Sequence, residues 1–450
     1  MMKINTDTVK ENLIIGIFYS LVYISALLLA DFGHGMTAFF ILAVSAVAFC
    51  IIRIYKRACL VDSGAMLIMF WTLGLALAIM RLSSLHTPWT LQTKISFLLL
   101  PVGFLIGECI EPAPVRKQRR QHYVFSCERL FYLIPAVSIV SALFFLMEAV
   151  ILGYVPAFSK DTHAYNYFHV TGLHYFTVSC MMTHALTAVY LQYVKKVKRK
   201  LEKKQKAVLI GANVISLLVA LMCVSKLQFI LIIGLPLIIL LGQRVDDFKR
   251  LPWRRIVAVL VGIAIAFLAV MMIFTRLRHY EPGYLDSIFE FRNKKAPGWF
   301  QYIYMYIANN YANFNCMTER LTVHSYGLRQ LFPVFALTGT KFVFPQLIYF
   351  PLFVVKEEIN TLTLIYDAYY DFGIVGVLGF SVILGIVSCL LSKKRDEGDN
   401  PVFMLFFAQF TLYMVLSFFS AWFSVATTWF WFALTAVFCM IVMKKEDSNE

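Results

Sequence analysis

Residues 207–242 read AVLIGANVISLLVALMCVSKLQFILIIGLPLIILLG, an apolar run whose only strong polar break is Ser225-Lys226. As one helix the run would extend roughly 54 Å, against a bilayer hydrocarbon core of about 30 Å. The chain must therefore turn back near Ser225, and the run is read as a hairpin of two crossing helices. The turn puts Lys226 at or just inside a membrane surface, where a charge costs up to about 3 kcal/mol if carried to the bilayer centre. Its ammonium is read in two ways, as snorkelling to phospholipid headgroups or as a charge for a phosphate group.

The rest of the chain has the same character. Its 450 residues are 60% hydrophobic and 15% charged, with mean hydropathy +0.71, well above soluble usage. This is the composition of an all-α polytopic membrane protein. Crossing helices are expected at about 13–30, 37–52, 64–82, 92–109, 131–152, 173–193, 207–224, 227–242, 257–275, 372–391, 402–420 and 427–443, about twelve in all. The first run, Leu13 to Ala30, has crossing length and no small-residue cleavage site behind it, so it is read as a span rather than a signal peptide.

A net charge of +15 invites a nucleic-acid reading, but the cations are not spread that way. Arg53/Lys56/Arg57, Arg116 to Arg120, Lys195 to Lys206, Arg244 to Arg255, Lys393 to Arg395 and Lys444/Lys445 occupy alternate gaps between apolar runs. The intervening short gaps are nearly free of Lys and Arg. That alternation is the positive-inside pattern, which puts the basic gaps and both termini in the cytoplasm of a multi-pass cell-membrane protein. The densest gap, 195–206, is basic enough to bind anionic lipid. No GxxxxGK[ST] or GxGxxG is present, so ATP-driven transport is not expected. The nine cysteines show no CxxC spacing and lie mostly in or beside spans, so neither a disulfide framework nor a metal or cofactor site is suggested.

Two segments face outward. The first, from Gly153 to Tyr175, carries Lys160, Asp161, His163, His169 and His174; histidines spaced by six and five share no helix face and read as a polar loop. The second is the one long polar excursion, 276–371, between membrane regions 1–275 and 372–450. Arg276 and Arg278 start it at headgroup level, where planar forks of donors suit phosphate oxygens. The aromatics Trp299, Tyr302 and Tyr306 and the asparagine Asn310 follow at helical spacing, so an amphipathic helix along the membrane surface is expected. Such a helix is either a sugar platform or a plain aromatic belt. Glu319-Arg320, His324 and Arg329 come next, then Lys341 to Val355, an apolar stretch broken by Pro345 and Pro351 that reads as re-entrant or interfacial. Asn360-Thr361 and Tyr370-Asp371-Phe372-Gly373 close the excursion, with Asp371 also placed to cap the next helix.

This layout resembles the oligosaccharide repeat-unit polymerases, the Wzy or O-antigen polymerase family. The likeness rests on about twelve spans, the Pro156-containing outer loop, the hairpin at Ser225-Lys226, one large outer loop and its Asn360-Thr361 to Asp371-Phe372-Gly373 and Gly376 ending. Where some family members have ten residues between an arginine and a glycine in an outer loop, Arg329 and Gly339 have nine between them. The resemblance implies a metal-independent, GT-C-like membrane glycosyltransferase that needs no cofactor. It would join undecaprenyl-pyrophosphate-linked repeat units of O-antigen, capsule or exopolysaccharide, releasing undecaprenyl pyrophosphate. A chain-length regulator and a flippase are then expected partners, beside membrane lipids and without nucleic acid. In that reaction Arg276, Arg278, Arg320, Arg329 and Lys226 would hold pyrophosphate. Glu319, His324 and Asp371 are the candidate bases, and Trp299, Tyr302, Tyr306, Asn310 and Asn360 the sugar contacts. An O-antigen-ligase-like transferase and a flippase or transporter stay open as alternatives.

Overall fold

The computed structural model of the chain describes residues 3–4, 6–111, 123–159, 161, 164–245, 248, 254, 258, 261–262 and 283–445. Arg276 and Arg278, most of the helix expected at 257–275, the basic run 116–120, Lys160 and His163 lie outside those residues.

The described chain is mostly helical. Its main helices are α1 (Thr6–Asp31), α2 (Gly35–Arg57), α3 (Ser63–Ile79), α4 (Leu91–Glu108), α5 (Cys127–Leu152), α6 (Met181–Lys196), α7 (Lys203–Met222), α8 (Lys226–Leu241), α9 (Gly298–Arg320), α10 (Tyr366–Glu397), α11 (Met404–Val415) and α12 (Ala426–Ile441). Six of them, α1, α2, α4, α5, α7 and α10, are long and apolar enough to cross a membrane; α3, α8, α12 and the helical stretch Pro401–Val415 are apolar but shorter. In α1 the face of Ile15, Tyr19, Tyr23 and Ala26 is buried, while Leu13, Ile14, Ile17, Phe18, Leu21, Ile24 and Leu28 remain exposed. A helix apolar on its packed and unpacked sides alike belongs in lipid. Residues 223–225 break the helix between α7 and α8, so the chain does turn at Ser225.

The residues divide into two compact units: Met1–Val115 with Glu281–Lys393 and Tyr413–Trp429, and Arg116–Tyr280 with Lys394–Leu412 and Phe430–Glu450. In the first, α4 and α10 cross with almost no space between them. A Cβ on Gly107 would lie 2.0 Å from the Val382 oxygen and one on Gly385 2.1 Å from the Phe104 oxygen, the close backbone approach that small residues permit between membrane helices. Beside this crossing sits an ionic cluster of zero net charge. Arg53, fully buried, donates to Asp62 at 3.0 Å and to both Glu108 oxygens at 2.9 and 2.8 Å. It also donates to Asn12 Oδ1 at 3.3 Å, and Arg57 reaches Glu108 at 3.4 Å. The cluster thus ties the start of α1, the ends of α2 and α4 and the N-cap of α3.

The second unit packs α5 against α7 and α6 against α8. A short antiparallel ribbon of β1 (Tyr123–Phe125) and β2 (Met443–Lys445) belongs to it.

The helix expected in the long excursion exists as α9, but its setting differs from a surface-lying helix. Asn309, Asn310, Asn313 and Asn315 are completely buried. Tyr311 inserts between α3 and α4, with its hydroxyl on the Trp71 carbonyl at 2.9 Å and its ring 5.0 and 5.3 Å from those of Trp71 and Phe97. The polar face can be buried because its amides have found backbone partners. Asn309 and Asn313 donate to the Ile359 oxygen at 3.0 and 2.7 Å, and Asn313 Oδ1 accepts from the Val355 N–H at 3.0 Å. These side chains replace the ladder that the irregular segment 344–361 lacks. The stretch 341–355 is itself a set of short turns rather than a continuous helix.

Candidate functional site

The site forms where segment 324–330 folds against the start of α10. The sequence Tyr366-Asp367-Ala368-Tyr369-Tyr370-Asp371 repeats Tyr-Asp at a spacing of four, so both pairs share one helical face. The helix then breaks, with Phe372 at φ −139° and Gly373 at φ 60°, ψ −146°. The second conformation is essentially restricted to glycine. Past the break the backbone doubles close to itself, since a Cβ on Gly376 would lie 2.2 Å from the Ala368 oxygen. The two glycines of the Asp-Phe-Gly-x-x-Gly sequence therefore build the kink.

Asp371 sits at that kink and is completely buried. It does not cap its own helix. Its Oδ1 accepts from the Ser325 hydroxyl at 2.5 Å and the Arg329 N–H at 3.1 Å, and its Oδ2 from the Gln330 N–H at 3.0 Å. The reason is geometric: the break turns the carboxylate away from the first turn of the following helix and towards a loop whose N–H groups need acceptors. Asp371 is thereby a positioning residue for segment 325–330.

That positioning aims Arg329. Its Nε is 2.5 Å from Asp367 Oδ1, and its guanidinium carbon lies 4.5 Å from the Tyr370 ring centroid and 5.5 Å from that of Tyr366. Burial opposes the charge, but Asp367 with the two tyrosines outweighs it and holds the guanidinium charged. Among the described residues neither Nη nitrogen has a hydrogen-bond partner, leaving one edge of the fork to face a ligand. Phe353 stacks on Tyr370 at 5.9 Å, and its backbone N–H donates to the Tyr366 hydroxyl at 3.0 Å. The aromatic bed is therefore fixed from behind.

His324 completes the cluster. Its Nδ1 is 3.1 Å from the Tyr370 carbonyl; a carbonyl only accepts, so Nδ1 carries the proton and Nε2 presents its lone pair in the neutral ring. A Cβ on Gly373 would lie 3.5 Å from Nε2, so glycine also keeps that edge of the imidazole clear.

The other expected site residues are placed elsewhere. Glu319 and Arg320 are exposed at the end of α9, where Glu319 accepts from Asn315 Nδ2 at 2.7 Å. Trp299 is exposed, whereas Tyr302 is buried in a stack, 5.4 Å from Tyr306, which lies 5.2 Å from Phe419. Asn310 donates to the Tyr306 and Phe418 oxygens at 3.0 and 2.7 Å and accepts from the Thr361 hydroxyl. Its amide is spent on the protein, while Asn360 is exposed. Lys226 belongs to the second unit and is buried there. In that unit His174 Nδ1 pairs with the fully buried Glu148 at 3.1 Å, a partner that histidine spacing alone could not reveal. Asp367 and Ser325 were also missed by sequence reasoning, although the Tyr-Asp repeat at 366–371 carried a signal for the first.

No protein-family model, curated protein or solved structure matches this chain.

Proposed function

We propose that the chain is a membrane glycosyltransferase that polymerises undecaprenyl-pyrophosphate-linked oligosaccharide repeat units on the outer face of the cytoplasmic membrane, with about twelve spans and both termini inside. The observation that carries the reading is Arg329, a half-buried cation held over the Tyr366 and Tyr370 rings by Asp367, on the same start of α10 whose Tyr370 carbonyl engages the His324 imidazole. A fixed guanidinium suits a diphosphate leaving group, which gains charge as the bond to the anomeric carbon breaks. In the same step the acceptor hydroxyl forms the new glycosidic bond and passes its proton to His324 Nε2. Asp367 and Asp371 hold Arg329 and its loop in place, and the Tyr370 carbonyl orients His324. The positive-inside alternation supports placing this loop outside.

The test is conversion of a purified lipid-linked repeat unit into a ladder in vitro. Arg329→Ala and His324→Ala should leave single repeat units unpolymerised, and normal ladders from both would sink the reading. Transfer of glycan only to an acceptor without the lipid carrier would replace polymerase by ligase.

A further inference from the structure

We infer that one end of the second unit is a docking surface for anionic phospholipid headgroups, assembled from chain segments far apart in sequence. Between α6 and α7 the chain reverses over 197–202, with Lys198 in the left-handed region at φ 53°. Lys195, Lys196, Lys198, Arg199, Lys200, Lys203, Lys204 and Lys206 are all exposed there. The one acid among them, Glu202, is occupied in a capping box with Gln205 at the start of α7.

The fold adds two more cations from the other end of the chain. Phe125 packs its ring 4.7 Å from that of Tyr193 in the last turns of α6. Phe125 also pairs with Met443 in the β1–β2 ribbon, which brings the strand that carries the exposed Lys444 and Lys445 against the end of α6, where the basic turn starts. Arg129 fastens the ribbon, donating to the Ile441 and Met443 oxygens at 3.3 and 2.6 Å. Charge complementarity names the occupant: α7 is long and apolar enough to cross a membrane, so cations at its first turn lie at headgroup level. Each is attracted to an anionic surface, and salt screens that attraction.

The purified full chain in nanodiscs tests this. Adding about one-third phosphatidylglycerol to phosphatidylcholine should raise Tm by roughly 5 °C, and 0.5 M NaCl should remove the rise. The variant K198Q/R199Q/K200Q/K203Q/K204Q should melt like the parent chain in phosphatidylcholine and show no rise with phosphatidylglycerol. A salt-independent rise in the parent, an equal rise in the variant, or stabilisation by a short RNA but not by phosphatidylglycerol would each overturn the inference. Should the variant not fold, the salt dependence in the parent chain and the number of phosphatidylglycerol molecules it retains in native mass spectrometry decide alone.

Discussion

Arg329 Nε and Asp367 Oδ1 are 2.5 Å apart, in a pair whose side chains are only 15% and 7% exposed. Removing one member of such a pair leaves a buried charge without its counter-ion, a loss of about 3–5 kcal/mol. Asp367→Asn should therefore lower Tm and free Arg329 from its tyrosine bed. Arg329→Lys keeps the charge but loses the planar fork, so it should retain most of the stability and little of the polymerising activity. Thermal melts in detergent combined with the ladder assay separate the two effects.

Gly373 holds a backbone conformation that a side chain makes costly. Gly373→Ala should destabilise by about 1–3 kcal/mol through that backbone strain, and its methyl would lie in van der Waals contact with His324, 3.4 Å from Cε1. Gly376→Ala should also be damaging, because its Cβ would overlap the Ala368 oxygen. Gly379→Ala, with no atom within 4 Å of the added Cβ, is the internal control and should melt like the parent chain. Equal melting temperatures for all three would dispose of the kink argument.

His86, buried in the connection before α4, has Nδ1 3.2 Å from the Tyr304 hydroxyl. Burial, assisted by Arg292, pushes its pKa down to about 4. A histidine held neutral when folded is protonated first in the unfolded chain, so it favours unfolding as acid is added. Stability should be full above about pH 6.5 and fall between there and about 4, by roughly 3 kcal/mol at the acid end. His86→Asn should flatten that part of a Tm-against-pH curve; an unchanged slope would remove His86 as its source.

Arg53 is enclosed by Asp62, Glu108 and Asn12, and a Cβ on Gly64 would lie 2.4 Å from its Nη2. Gly64→Ala must displace a guanidinium with nowhere else to pair, so a clear drop in Tm is expected. Arg53→Met leaves buried Asp62 without its ion-pair partner and Glu108 with Arg57 alone, and should cost about 3 kcal/mol. Adding Asp62→Asn and Glu108→Gln to Arg53→Met should recover part of that loss, which the melting temperatures of the single and triple variants read directly.

The amino-acid sequence by itself determined the features that depend on local composition and period. The 207–242 run is expected to turn near Ser225 because its length exceeds the bilayer, and the stretch from Trp299 to about Tyr311 is expected to be helical because its aromatics recur at helical spacing. Hydropathy alone assigned the chain to the membrane. The tertiary structure decided which partner each polar group takes, since that depends on residues tens to hundreds of positions away. Only folding could show that Asn309, Asn310 and Asn313 hold backbone carbonyls rather than face outward, or that Asp371 serves the loop at 325–330 instead of its own helix. The same holds for Arg329: its sequence position marked it as a cation in a polar segment, and packing against Tyr366, Asp367 and Tyr370 gave it one fixed orientation.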